Sequence, residues 1–221
     1  MKIINILFPL VGCLLGFLIA FNFKPKDTKL ILAFSGAFLI SLIVSDVLPV
    51  LYVNELFSPG PWIMGGILLQ IILEFFSKGA EHGHSHSEIS RNQSILIIIS
   101  LCLHAFIEGI PLVKFETLSW GIFFHKIPVS MVVYLLFRKE LNFNGFNLLY
   151  LGLFCLATPI GVLVSYTHPI IDKILYPLTA LVVGMLLHIG TTILFESSEG
   201  HKFNIQKMVS IIIAILIAAI I

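Results

Sequence analysis

Apolar residues run along this chain in long blocks. They do not show the strict alternation of half-buried strands or the three-and-four spacing of a surface helix. Eight blocks stand out, at 3–23, 30–52, 61–77, 94–113, 117–137, 146–166, 174–195 and 207–221. A helix of about 20 apolar residues crosses ~30 Å of hydrocarbon. The pattern therefore predicts an all-α integral membrane protein with eight transmembrane helices, forming one domain over residues 1–221. The last block has only 15 residues. It must begin earlier, tilt, or let Lys207 snorkel. The first block follows Lys2 and lacks a small-x-small cleavage site, so it reads as a span and not as a signal peptide.

Composition agrees. Hydrophobic residues make up 58% of the chain and charged residues 11%, with a mean hydropathy of +1.04; soluble domains carry about 25% charged residues. A net charge of +1 argues against a nucleic-acid partner. The basic residues divide by side. Lys24, Lys26, Lys29, Lys78, Arg91, Arg138, Lys139, Lys202 and Lys207 fall on one side of an eight-span chain, and Lys2, Lys114 and Lys173 on the other. The positive-inside rule then predicts both termini to be non-cytoplasmic. Cys13, Cys102 and Cys155 lie scattered in apolar blocks, with neither a disulfide framework nor a CxxC pair, and read as packing residues.

The polar exceptions inside the blocks carry the chemistry. The stretch LCLHAFIEGIPLVKFETLSWGIFFHKIPVSM, from Leu101 to Met131, puts His104, Glu108, His125 and Lys126 at bilayer depth. Each such residue costs at least ~2.5–3.5 kcal/mol on insertion scales. His104 and Glu108 are four apart and share a helix face. His104 lies nine residues from the outer end of its span and His125 eight from the outer end of the next. Antiparallel neighbours joined by a tight turn would bring all three to one depth. Two imidazoles and a carboxylate suit Zn²⁺ and other first-row divalent cations. Pro111 and Pro128 free backbone carbonyls nearby, and Gly109 allows close helix approach.

HAFIEGIPL resembles the fourth-helix signature of the ZIP family of metal transporters, and HKIPVSM is similar to its fifth-helix signature. The SDVLP ending of the second span, a His-rich loop after the third and TPIG in the sixth fit the same pattern. The resemblance implies that His104, Glu108 and His125 form the principal metal site, that helix bundles slide in alternating access, and that the protein is a homodimer. At the family's second site the chain departs from the pattern. The usual donors are replaced by Ala105, Lys126, Val129 and Thr158. The expectation is therefore a single-metal site, with Lys126 near the place of a second cation and pairing with Glu108 when metal is absent.

Other polar residues extend a path. Asp46, near the outer end of the second span, reads as an entrance carboxylate or as a helix-end acid. His188, inside the seventh span, reads as part of an exit route, as a ligand, or as a packing hydrogen bond. Glu74 and Glu196 sit near cytoplasmic ends, where they would assist release. His82, His84 and His86 in the loop 78–93 would gather metal weakly, or form a hydrophilic linker that happens to contain His.

The function expected is transport of a divalent cation into the cytoplasm, with Zn²⁺, Fe²⁺, Mn²⁺, Cd²⁺ or Co²⁺ as substrate and not as cofactor. The alternative is an intramembrane zinc-dependent hydrolase, with His104, His125 and His188 around a metal-bound water and Glu108 as acid or base. The chain has no HExxH, no GxSxG elbow and no domain outside the membrane, so no enzyme is expected. The short loops and an Ile-, Lys- and Asn-rich composition point to a bacterial inner membrane.

Overall fold

The apolar blocks all form helices in the computed structural model, which describes residues 2–23, 28–53, 57–79, 91–140, 145–196 and 205–221. We number them α1 (Ile4–Phe23), α2 (Lys29–Val53), α3 (Gly60–Ser77), α4 (Arg91–Gly109), α5 (Thr117–Glu140), α6 (Gly145–Thr167), α7 (Pro169–Glu196) and α8 (Ile205–Ala218). No strand occurs among the described residues. Seven of these helices are long and apolar enough to cross a membrane, and α8, with 14 residues, is shorter. This is the architecture of an α-helical integral membrane protein. The His-rich loop with His82, His84 and His86 lies outside the described residues, as does the side chain of Glu196.

Two of the boundaries that differ from the sequence expectation carry charged residues with them. Helix α7 starts at Pro169, not at 174, and takes Asp172 and Lys173 into its first turns. Proline is pre-organised for the first helical position, and an acid there complements the helix dipole. Helix α8 starts at Ile205, two residues early, and Lys207 does not snorkel outward. It is buried, and its ammonium donates to the Leu194 carbonyl. Leu194 is among the last four residues of α7, whose carbonyls lack an intrahelical donor. The cation thus closes one helix end against the start of the next.

The helices alternate in direction. One end of the bundle gathers the start of α1, the α4–α5 turn and the α6–α7 junction. There the Lys2 amide donates to the Tyr166 hydroxyl at 3.2 Å, Lys2 pairs with Glu116, and Lys114 Nζ donates to Tyr176 at 2.5 Å. The other end gathers the starts of α2 and α8 and the end of α7, where Ser210 donates to the Leu30 carbonyl.

Packing divides the bundle into two groups. α1 packs on α5 and α6, and α4 on α6, around a core that includes Leu101, Ala105, Val129, Val133 and Phe154. The second group joins α2 to α7 and α8, and α3 to α7. The groups meet where α5 lies on α2 and α4 on α3. Lipid tails provide no hydrophobic drive for helices to associate, so close backbone approach at small residues does much of the work. On α1, a Cβ at Gly12 or Gly16 would run into the carbonyls of Phe123 or Ile127 on α5.

Candidate metal centre

Helix α4 runs regularly through His104 and Glu108 and then tightens into a 3-10 turn, Ile110–Val113, at Pro111. That turn leaves the Leu112 carbonyl to be satisfied from elsewhere. Asn5 of α1, fully buried, donates to it at 2.6 Å and accepts from Ser119 at 3.1 Å. The start of α5 is thereby tied to the end of α4 through α1. Although joined by this short turn, α4 and α5 make almost no direct backbone approach, contrary to the expectation of packed neighbours. α1 and α6 complete the group around them, and long polar side chains meet in the space between.

On its other side α4 lies tightly on α6. A Cβ on Gly109 would overlap the Thr158 carbonyl, and one on Gly161 would overlap the carbonyl of Phe106. This crossing brings Thr158 to Glu108.

His104, Glu108 and His125 converge as their spacing predicts. One ligand atom from each lies within 4.8 Å of the others, and the two imidazole centroids are 6.3 Å apart. All three are buried, with Glu108 wholly inaccessible. The carboxylate divides its two oxygens. Oε1 accepts from Thr158 Oγ1 at 2.7 Å and pairs with the Lys126 ammonium. Oε2 faces His104 Nε2 at 3.2 Å, yet neither atom has a partner aligned for a hydrogen bond.

The other nitrogen of His104 explains this. His104 Nδ1 lies 2.9 Å from Gln70 Oε1 on α3. With the amide oxygen as acceptor, Nδ1 carries the proton and Nε2 presents its lone pair. In that tautomer two acceptors face each other in a buried space, an arrangement that a proton or a metal cation between them relieves.

Lys126 is as buried as the residues it serves. Its ammonium also lies 4.5 Å from the centroid of the Phe154 ring on α6, a cation–π contact. The pairing of Lys126 with Glu108 matches the sequence expectation. Ala105 and Val129 lie in the apolar core, and Thr158 donates to Glu108, so none of these offers a donor set for a second cation.

The remaining predicted residues stay outside the cluster. Asp46 is half-buried on a π turn, Ile43–Val47, that interrupts α2 just before Pro49. Proline cannot bond the carbonyl four residues back, and the wider turn takes up the mismatch. His188 does not join His104 and His125. Its Nε2 lies 2.8 Å from Glu74 Oε2, which links α7 to α3 with both side chains about a fifth to a quarter exposed. Gln70 escaped sequence reasoning. The available signal was an amide one turn before Glu74 inside a largely apolar span. No protein-family model matches the chain, and no curated protein matches it in sequence.

Proposed function

We propose that this protein carries a divalent metal cation across the membrane through one buried site formed by His104, Glu108 and His125. The observation behind this reading is the pair of unsatisfied acceptors, His104 Nε2 and Glu108 Oε2, 3.2 Å apart and aimed at each other within reach of His125. Two imidazoles and a carboxylate suit Zn²⁺ best among common divalents, with Fe²⁺, Mn²⁺, Cd²⁺ and Co²⁺ also accommodated. The ZIP-like signatures in α4 and α5 point the same way.

The rest of the arrangement suits a carrier better than a resident cofactor site. Three protein donors leave the shell incomplete, so bound metal can be released. The site is closed on every side by protein, so loading and unloading require the helices to move. The seam between the α1/α4/α5/α6 group and the α2/α3/α7/α8 group is the natural place for that movement. Gln70 reaches His104 across the seam and can therefore orient the imidazole in one position of the two groups and release it in another. Lys126 holds Glu108 while the carrier is empty, which avoids a bare buried carboxylate. The basic-residue bias supports eight spans with both termini outside, and transport inward is part of the same proposal.

The hydrolase reading needed His188 as a third imidazole, and His188 is paired with Glu74. The deciding experiment is zinc uptake into proteoliposomes by the native chain, His104→Ala and Glu108→Ala. Saturable uptake that both substitutions abolish, with helicity intact, is the expected result. Native-like flux in either variant would remove the site from the mechanism.

A further inference from the structure

Two thiols that the metal site does not use lie beside it. Cys13 of α1 and Cys155 of α6 are separated by 142 residues in sequence, and both are buried. Their sulfurs are in direct contact, 2.6 Å apart. A metal ion held at about 2.3 Å from each of two thiolates would hold the sulfurs well over 3 Å apart. The observed separation is too short for that. It is within about 0.6 Å of a sulfur–sulfur bond. Both thiols belong to the apolar core that α1, α4, α5 and α6 share, and that core adjoins the site. Gly12, next to Cys13, packs against the backbone of Phe123 and the Cβ of Lys126. Cys155 lies one turn before Thr158, which donates to Glu108.

We propose that Cys13 and Cys155 are a redox pair, which a hydroperoxide closes into a disulfide tying α1 to α6 beside the His104, Glu108 and His125 cluster. One sulfur attacks a peroxide oxygen. The O–O bond breaks, an alcohol or water leaves, and a sulfenic acid remains. The second sulfur attacks that sulfenic sulfur, the S–S bond forms, and the S–O bond breaks with loss of water. Two thiols and one hydroperoxide thus give one disulfide, one alcohol (or water) and one further water. The two electrons lost by the sulfurs reduce the peroxide. A small uncharged peroxide can enter this apolar region, where charged thiol reductants enter poorly. The bond pins the α1 contact with Lys126 to the α6 turn that positions Thr158, and so restrains both groups that hold Glu108. Its effect on flux rests on the transport reading above; the bond itself does not.

The test uses the full chain in lipid nanodiscs, treated with hydrogen peroxide, alkylated, digested and read by mass spectrometry. A peptide pair joined through Cys13 and Cys155 is expected, lacking two hydrogens and separated by dithiothreitol. Cys102, which is half-buried on α4 and has a free thiol, serves as the internal measure of oxidant exposure. Cys13 and Cys155 both remaining separately alkylated, or each oxidised without linkage, at a dose that oxidises Cys102 would overturn the pair. Cys13→Ser and Cys155→Ser should each remove the joined species. In proteoliposomes, peroxide should lower zinc uptake by the native chain, reversibly with dithiothreitol, and leave Cys13→Ser unaffected. An equal loss in both chains would overturn the restraint. A chain that forms the bond and moves no zinc in any form would sink the transport reading and leave the redox pair standing.

Discussion

Lys126→Met isolates the role of the buried ammonium. Methionine keeps an unbranched chain against Phe154 but removes the positive charge that pairs with Glu108 Oε1. Breaking a buried pair by deleting one partner typically costs about 3–5 kcal/mol, because the other charge is stranded. Glu108 has no access to solvent, so water cannot replace the lost cation. For chains of this length, the loss corresponds to roughly 6–20 °C in melting temperature. The measurement is thermal unfolding of the metal-free protein in nanodiscs, followed through Trp62 and Trp120. Mildly alkaline buffer limits the escape in which the stranded carboxylate takes up a proton.

Two further arms make this decisive. The double variant Lys126→Met with Glu108→Gln leaves a neutral amide in place of the carboxylate, and should recover most of the loss. Zinc should stabilise the single variant more than it stabilises the native chain. The added cation then does work that Lys126 does natively, and ligand at about 1,000 times Kd contributes ~4.1 kcal/mol. A double variant that melts as low as Lys126→Met would show that the lost stability is packing and not charge. Zinc stabilisation equal in native and single variant would remove the idea that the ammonium stands in for the metal.

Four other outcomes follow from the same geometry. Gln70→Leu should weaken zinc binding by about 10–100-fold, because His104 loses the partner that fixes its ring and tautomer; titration calorimetry on the detergent-solubilised chain reads this directly. Thr158→Val removes one hydrogen bond to a charged buried oxygen and should lower stability by about 1.5–3 kcal/mol, measured as the shift in unfolding midpoint. Gly109→Ala places a methyl group on the Thr158 carbonyl, and should cost about 1–3 kcal/mol as α4 is pushed off α6, with zinc affinity falling in parallel. His188→Gln should leave zinc affinity at the central site unchanged, since its partner is Glu74; a large loss would return His188 to the ligand set.

The sequence made the site legible because its key relations are local or set by register. His104 and Glu108 are fixed by a four-residue spacing, and His125 by its distance from a shared turn. Lys126 was matched to Glu108 through the ZIP-like pattern, in which it stands near the place of a second cation. What could not be read depended on which helices touch. Adjacency in sequence predicted α4 and α5 as neighbours, yet α5 lies chiefly on α1 and α4 chiefly on α6. The signal for α1 was present in Gly12 and Gly16, a small-xxx-small pair, but it names no partner. Gln70 and Glu74 lie one turn apart on α3 and contact different helices, His104 on α4 and His188 on α7. Only the rotation and tilt of α3 decide that division. The thiols were read as packing residues because they form neither a disulfide framework nor a CxxC pair, and a separation of 142 positions gave no sign that two of them meet.

The energetic logic of the site follows from that assembly. A carboxylate at this depth needs a cation at all times, whether or not metal is present. A second metal would supply one only when both sites were filled. A tethered ammonium supplies it permanently and occupies Oε1, while Oε2 and His104 Nε2 are left facing each other. The empty site is therefore held open for a cation on one side and neutralised on the other. The acceptor that orients His104 comes from the opposite helix group, so relative movement of the two groups changes the imidazole's support without touching the Lys126–Glu108 pair. On this reading the affinity for metal is set by how the groups sit, and the stability of the empty carrier by Lys126. That separation predicts that Gln70 variants shift zinc affinity with little change in metal-free melting temperature, whereas Lys126 variants lower that temperature and let zinc restore it.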